Sequence, residues 1–108
     1  MDGIWTYIIP ENVSGGILVI REGRVVGGDG TYVCTGTCDV DDDVVRLNLS
    51  YEMFNPQGSL GSAWGDNAPK IEVLFEGTAF GDIIYGKARR PGFDQTVAVT
   101  MSHHGDAP

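Results

Sequence analysis

Apolar and polar residues alternate along much of this chain, and the alternation is clearest from residue 31 to residue 51. Every second position in 31–40 is apolar or small, namely Tyr32, Cys34, Gly36, Cys38 and Val40. Residues 44–51 repeat the pattern, with Val45, Leu47, Leu49 and Tyr51 between the polar residues Arg46, Asn48 and Ser50. A period of two with β-branched residues is typical of a strand that buries one face. The pattern therefore predicts two strands joined by a turn at Asp41, Asp42 and Asp43.

Turn residues divide the rest of the chain into further short strands. Pro10 and a polar linker at 11–15 end the first apolar run, Glu22-Gly23 separates two others, and Pro91-Gly92 precedes the last. These signals predict strands over 3–9, 16–21, 24–26, 71–79, 83–89 and 95–101. About eight short strands with almost no helical periodicity indicate an all-β sandwich or barrel. A closed up-and-down antiparallel barrel suits the short turns and leaves no sheet edge exposed, so we expect one β-barrel domain over 1–108.

Two segments lack the alternation. The connection 52–69 is rich in Gly, Asn, Pro and Ser and contains three large apolar residues, Phe54, Leu60 and Trp64. A connection of this length in a small domain is often a lid or contact loop. The segment 102–108 is predicted to be a frayed tail. It contains His103 and His104, the only histidines, which we therefore expect to be solvated.

The charge of the chain narrows the classes of partner. Its 108 residues carry a formal net charge of −8, which argues against binding nucleic acid or an anionic membrane and suits a basic protein partner. No apolar run is long enough to span a bilayer. The N-terminal residues Met1-Asp2-Gly3 lack the basic and apolar regions of a signal peptide, so we expect a cytoplasmic protein.

The acidic turn, defined as Asp41, Asp42 and Asp43, is the most distinctive polar feature. Asp suits turns and is stable when solvated, so a solvated turn is the simplest interpretation. Repulsion among adjacent carboxylates favours a compensating basic partner as the alternative. The spacing Asp39-x-Asp41-x-Asp43 is similar to the start of a calcium loop, but Val44 replaces the expected Gly and Ser50 the closing Glu. We expect no metal and no cofactor.

The cysteines and glycines offer weaker signals. Cys34 and Cys38 lie roughly 13 Å apart along one predicted strand, too far for a disulfide. Buried reduced thiols are expected, with a redox or metal pair as the alternative.

Gly27-Gly28-Asp29-Gly30 is similar to a phosphate loop, but a strand rather than a helix follows it, which favours a turn or bulge. No nucleophile and base can be paired, so we expect no enzymatic activity.

A barrel of this size can also hold one small apolar ligand. Its predicted lining comprises Trp5, Tyr32, Leu47, Leu49, Phe75 and Val97. Core packing is the simpler role for Trp5, Tyr7, Tyr32 and Tyr51, because aromatic residues dominate small cores. Lys87, Arg89 and Arg90 are expected to form a solvated strand end, or to contact the acidic turn of a second subunit.

The first half of the chain contains a distinctive series of short motifs: Asp2-Gly3-Ile4, Gly16-Ile17-Leu18, Gly27-Gly28-Asp29, Tyr32, Gly36 and the acidic run before Val44-Val45. In this series the chain resembles the GrlR family. The resemblance covers roughly residues 2–51, and only the strand spacing is comparable beyond them. The tripeptide Gly3-Ile4-Trp5 also matches the G-x-W that lipocalins carry on their first strand.

The resemblance implies a lipocalin-like β-barrel, a homodimer and a regulatory role. Members of that family are negative regulators of type III secretion gene expression. Their repressor binds a transcriptional activator through an exposed Glu-Asp-Glu-Asp motif, whose last three positions correspond to Asp41, Asp42 and Asp43 and whose first corresponds to Val40. The leading hypothesis is therefore a regulator that sequesters an activator through the acidic turn. The alternative is a carrier or sensor of a small hydrophobic ligand.

Overall fold

A computed structural model describes residues 1–11, 14–57 and 62–108. These residues form eight antiparallel strands that close into a barrel in chain order. Each strand pairs with its neighbours in sequence, and the first pairs with the last. The strands are β1 Gly3–Ile9, β2 Ser14–Arg21, β3 Arg24–Gly28, β4 Tyr32–Asp41, β5 Val44–Met53, β6 Lys70–Phe80, β7 Ile83–Arg89 and β8 Val97–Gly105. The all-β, closed, up-and-down barrel expected from the sequence is confirmed. None of the described residues belongs to a helix long and apolar enough to cross a membrane.

The alternation of the sequence defines the inner and outer faces of the barrel. On β5, Val45, Leu47 and Leu49 are buried while the residues between them are exposed. On β6, Ile71, Val73 and Phe75 are buried and Glu72 and Glu76 are exposed. Since a fully buried aliphatic or Phe side chain contributes about 1.5–3 kcal/mol, slipping any strand by one residue would forfeit several such contributions at once.

The two ends of the barrel differ in their connections. At one, called the closed end, strands are joined by the two-residue turns Glu22-Gly23, Asp42-Asp43 and Gly81-Asp82. The first residue of each turn has positive φ, at 52°, 59° and 61° respectively, as tight hairpins require. The other, called the open end, carries the longer connections that follow β1, β3, β5 and β7.

Two glycines on the β3–β4 side allow backbones to approach closely. A Cβ at Gly27 would lie 1.9 Å from the carbonyl oxygen of Ile17, and one at Gly36 would lie 2.0 Å from that of Asn48. No side chain fits at such distances, so these positions require glycine where the sheet curves to close a small barrel.

Strand boundaries depart from the predictions in several places, and β3 and β5 each extend two residues further, to Gly28 and Met53. β2 begins at Ser14 rather than Gly16, and residues 12 and 13 of the predicted linker lie outside the described residues. β8 begins at Val97 rather than at residue 95. The prediction of a frayed tail is wrong for 102–105, because β8 continues to Gly105 and pairs His103 with Trp5 of β1. These residues supply the backbone hydrogen bonds that the start of β1 would otherwise lack.

Candidate functional site: an interior pocket and the acidic turn

A pocket of about 430 Å³ extends from the barrel interior to the open end. Its deep wall is apolar and includes Leu18, Val73 and Met101 from three different strands. Near the open end its lining becomes polar, with Thr31, Asn55 and other residues of the connections. This size and this distribution of polarity are typical of small-molecule sites.

Five of the six residues predicted to line a cavity do lie on the pocket wall: Tyr32, Leu47, Leu49, Phe75 and Val97. Trp5 does not. It points inward at the closed end, where its ring packs edge-on against His103 at 5.1 Å between centroids and its Nε1 donates to the Met1 carbonyl oxygen at 3.1 Å. Alternation identifies the inner face of a strand but not the depth along it. Tyr7, two residues further along β1, lies on the wall instead.

Three polar side chains meet within this apolar interior, and we call them the Tyr–Cys cluster: Tyr7, Cys34 and Tyr51. The Tyr51 hydroxyl donates to the Tyr7 hydroxyl oxygen at 3.5 Å. Cys34 pairs with Tyr51 across β4 and β5, so its thiol lies beside the Tyr51 hydroxyl. The cluster was expected only as core, since a sequence does not reveal that hydroxyls on β1 and β5 meet.

Burial keeps the Tyr–Cys cluster protonated. It raises the pKa of Cys34 to about 12, although the neighbouring Tyr51 hydroxyl lowers it somewhat. Burial also raises the pKa of Tyr7 and, strongly, that of Tyr51. At neutral pH all three groups are therefore uncharged, so they offer hydrogen bonds rather than a thiolate or phenolate.

The rim of the pocket includes Asp29, the one charged side chain among the described residues that line it. Its carboxylate accepts hydrogen bonds from the backbone N–H groups of Thr31 and Tyr32, both at 2.8 Å. The turn expected at 27–30 is confirmed only for its second half, because Gly27 and Gly28 belong to β3 and residues 29–31 connect it to β4.

The described part of the connection between β5 and β6 is tied across the open end. Asp66 forms a bidentate ion pair with Arg90, with oxygen–nitrogen distances of 2.7 and 3.0 Å, and also accepts a hydrogen bond from Ser62. Trp64 Nε1 donates to the Gln95 carbonyl oxygen at 2.8 Å. The Tyr32 hydroxyl donates to the Ala68 carbonyl oxygen at 2.9 Å. Residues 58–61 of the predicted lid lie outside the described residues.

This ion pair corrects the prediction for Arg90. Its side chain is only 10% exposed, rather than solvated, and its guanidinium lies over the Phe93 ring at 4.0 Å. The hydrogen bonds from Arg90 and then Ser62 lower the pKa of Asp66 to about 2. Lys87 and Arg89, by contrast, are exposed on β7.

The acidic turn lies at the closed end, away from the pocket opening. Asp41 ends β4, Asp42 and Asp43 form the turn, and all three are exposed. Within the described residues, no Lys or Arg forms an ion pair with them. Nor do those residues contain a group of three or more His, Cys, Asp or Glu arranged to hold a metal ion. The neighbouring Val40 is also exposed.

The two cysteines are free thiols, in agreement with the predicted lack of pairing. Cys34 is buried as expected, whereas Cys38 is only half-buried because it lies closer to the closed end.

Comparison with known proteins leaves the chain without an assigned family. No protein-family model matches it, and no curated protein matches it.

Proposed function

We propose that this chain is a non-enzymatic binding protein that holds a small apolar molecule inside its barrel. The observation that carries the proposal is the pocket of about 430 Å³, apolar at depth and polar at its rim. An apolar ligand gains about 25 cal/mol for each Å² of surface that it removes from water. An interior that was only a packed core would leave no such volume.

The protonation of the pocket supports binding rather than catalysis. The pKa values of Tyr7, Cys34 and Tyr51 are all raised by burial. None of them serves as a nucleophile or general base near neutral pH, since each would have to ionise first.

The proposal is tested by a substitution whose larger side chain fills part of the pocket. Val97 lies on the pocket wall and Ile17 is 51% exposed on the outer surface. We expect Val97→Phe to weaken binding of the neutral dye N-phenyl-1-naphthylamine at least about tenfold, because the larger ring occupies ligand volume. Ile17→Phe is the matched control and should bind as the wild type does. Fluorescence titration measures both, and circular dichroism confirms that both variants fold.

Equal dye binding by Val97→Phe and the wild type would contradict binding in the barrel. Native mass spectrometry of freshly purified protein is an independent check, because a retained ligand adds a defined mass that Val97→Phe should lose.

The acidic turn supports a second function, the binding of a basic protein. Asp41, Asp42 and Asp43 are exposed at the end of two ten-residue strands, so carboxylates without a described cationic partner are held on a rigid support. Such groups match Arg and Lys side chains of a DNA-binding protein and compete with phosphate for them. We propose, with the GrlR resemblance, that the partner is a transcriptional activator which the chain sequesters in the cytoplasm.

This second function is tested by affinity capture from host lysate. Changing Asp41, Asp42 and Asp43 together to Asn removes the charge and preserves the turn propensity. The control variant changes Glu11 and Glu52 to Gln and Asp94 to Asn, which removes the same charge from exposed positions elsewhere. We expect a basic regulator to be captured by wild type and control but not by the acidic-turn variant. Identical capture by all three would show that the turn is only solvated.

We also propose that the chain forms a homodimer through an apolar outer face, defined by Ile8, Ile17, Val26 and Val33. These side chains are 47–55% exposed. They come from four successive strands, and the residues that pair beside them on the outer surface include Thr6, Val19 and Thr35. The four side chains of this face are uncharged, and Glu52, which pairs with Val33, lies at its edge, so two chains of net charge −8 meet at the centre of the face without opposing carboxylates.

A further inference from the structure

The lining of the pocket provides no positive charge that would stabilise a bound anion. Among the described residues that line it there is no Lys, Arg or His, and Asp29 adds a negative charge at the rim. Arg90, beside the open end, is already paired with Asp66 through both of its terminal nitrogens. An anionic group drawn into this interior would lose its hydration without gaining a cation, which costs several kcal/mol.

The Tyr–Cys cluster has a hydrogen-bond donor to spare. The Tyr51 hydroxyl donates its hydrogen to the Tyr7 hydroxyl oxygen. The Tyr7 hydroxyl itself donates to no acceptor among the described residues, so its hydrogen is available. Tyr7 is 7% exposed and lies on the pocket wall together with Tyr51, so a ligand in the pocket is the acceptor within reach.

The bond between the two tyrosines is also easily exchanged. Its oxygen–oxygen distance is 3.5 Å, against about 2.7–2.8 Å for a typical O–H···O bond. A ligand oxygen that contacts either hydroxyl therefore replaces little interaction energy within the protein.

We infer that the ligand is an uncharged, mostly apolar molecule whose hydrogen-bond acceptor oxygen contacts the Tyr7–Tyr51 hydroxyl pair. This inference rests on the proposed ligand-binding function and narrows its ligand class. Long-chain alcohols, ketones and esters belong to this class. Fatty-acid anions, sulfonates and phosphates do not.

The experiment compares ligands of equal length that differ in charge. N-phenyl-1-naphthylamine, a neutral dye without oxygen, is bound first and then displaced at pH 8 by decan-1-ol or by decanoate. We expect decan-1-ol to displace the dye at a concentration at least about tenfold lower, since only decanoate must desolvate a charge. The same anilinonaphthalene body carrying a sulfonate, 1-anilinonaphthalene-8-sulfonate, should bind more weakly than the neutral dye.

Removing the two tyrosine hydroxyls tests whether they contact the oxygen of the ligand. The double change Tyr7→Phe and Tyr51→Phe should weaken the binding of decan-1-ol about three- to tenfold, which is the range expected for the loss of one hydrogen bond. Binding of the oxygen-free dye should weaken less than that of decan-1-ol, and circular dichroism shows that the variant folds. Tyr85→Phe is the matched control, because Tyr85 is 52% exposed on the outer surface.

The outcomes separate the inference from the function on which it rests. If the dye binds saturably but decanoate displaces it as well as decan-1-ol does, the ligand class is wrong and the binding function stands. If the double variant retains the affinity of the wild type for decan-1-ol, the contact with the hydroxyl pair is wrong. If the dye does not bind, the binding function fails and the inference fails with it.

Discussion

At the scale of single residues, the pair Asp66–Arg90 shows how one ion pair orders the open end. Asp66 lies in the connection between β5 and β6 and Arg90 directly follows β7, and the two are 24 positions apart in sequence. Neither is distinguished by its neighbours in the chain. The pair was therefore not predictable, although each residue type is a common ion-pair partner.

The lowered pKa of Asp66 predicts a pH dependence. Its value is about 2 in the folded protein, against 3.8 ordinarily, so its stabilising contribution is complete above about pH 4 and is lost as pH falls toward 2. We expect Asp66→Asn to lower stability by about 1 kcal/mol or less at pH 6, because the carboxylate is 38% exposed and thus partly screened. Thermal melts should show the difference from wild type shrinking between pH 4 and pH 2. A difference that persists at pH 2, or that the exposed control Asp94→Asn reproduces, would contradict this role.

At the scale of elements, most strands were predictable because each is specified by the alternation of apolar and polar residues within its own segment. Alternation in 31–40 and 44–51 depends only on which face each residue buries, and both strands form with those faces inward except at Val40, which is exposed. The end of β8 was not predictable from its own residues. Ser102 and His103 have no apolar alternation, and they are strand residues because β1 supplies the hydrogen-bonding partner.

The candidate site was predictable to a similar extent. Five predicted lining residues lie on strands with clear alternation, and their side chains face the pocket. Trp5 was misplaced because depth depends on how the strands tilt and stagger around the barrel. The meeting of Tyr7 with Tyr51 depends on the same geometry, which no single strand encodes.

At the scale of the whole molecule, the outer surface differs from strand to strand. The apolar outer face belongs to β1–β4, whereas the outer surface of β5 and β6 carries the ion pair Arg46–Glu76 at 3.2 Å, and Phe80, Ile83 and Tyr85 are exposed apolar residues of β6 and β7. If two copies associate through the apolar outer face, Ile17→Asp should yield a monomer, since it places two like charges at the centre of the contact. Sedimentation velocity measures this, with Asn48→Asp on the exposed surface of β5 as the charge-matched control. A monomeric wild type, or a variant that remains dimeric, would contradict the proposed face.

The closure of β1 on β8 has a consequence for how the chain folds. Seven of the eight pairings join strands adjacent in sequence and form as hairpins, whereas the contact of Thr6 with Ser102 spans 96 positions. Closing a loop of that length carries an entropic term of about 4 kcal/mol that is recovered only when the last strand docks. Until then the sheet is an open ribbon with two unpaired edges, the form in which β proteins fold slowly and aggregate most readily. The short stretch at 100–105 therefore governs the lifetime of that vulnerable species.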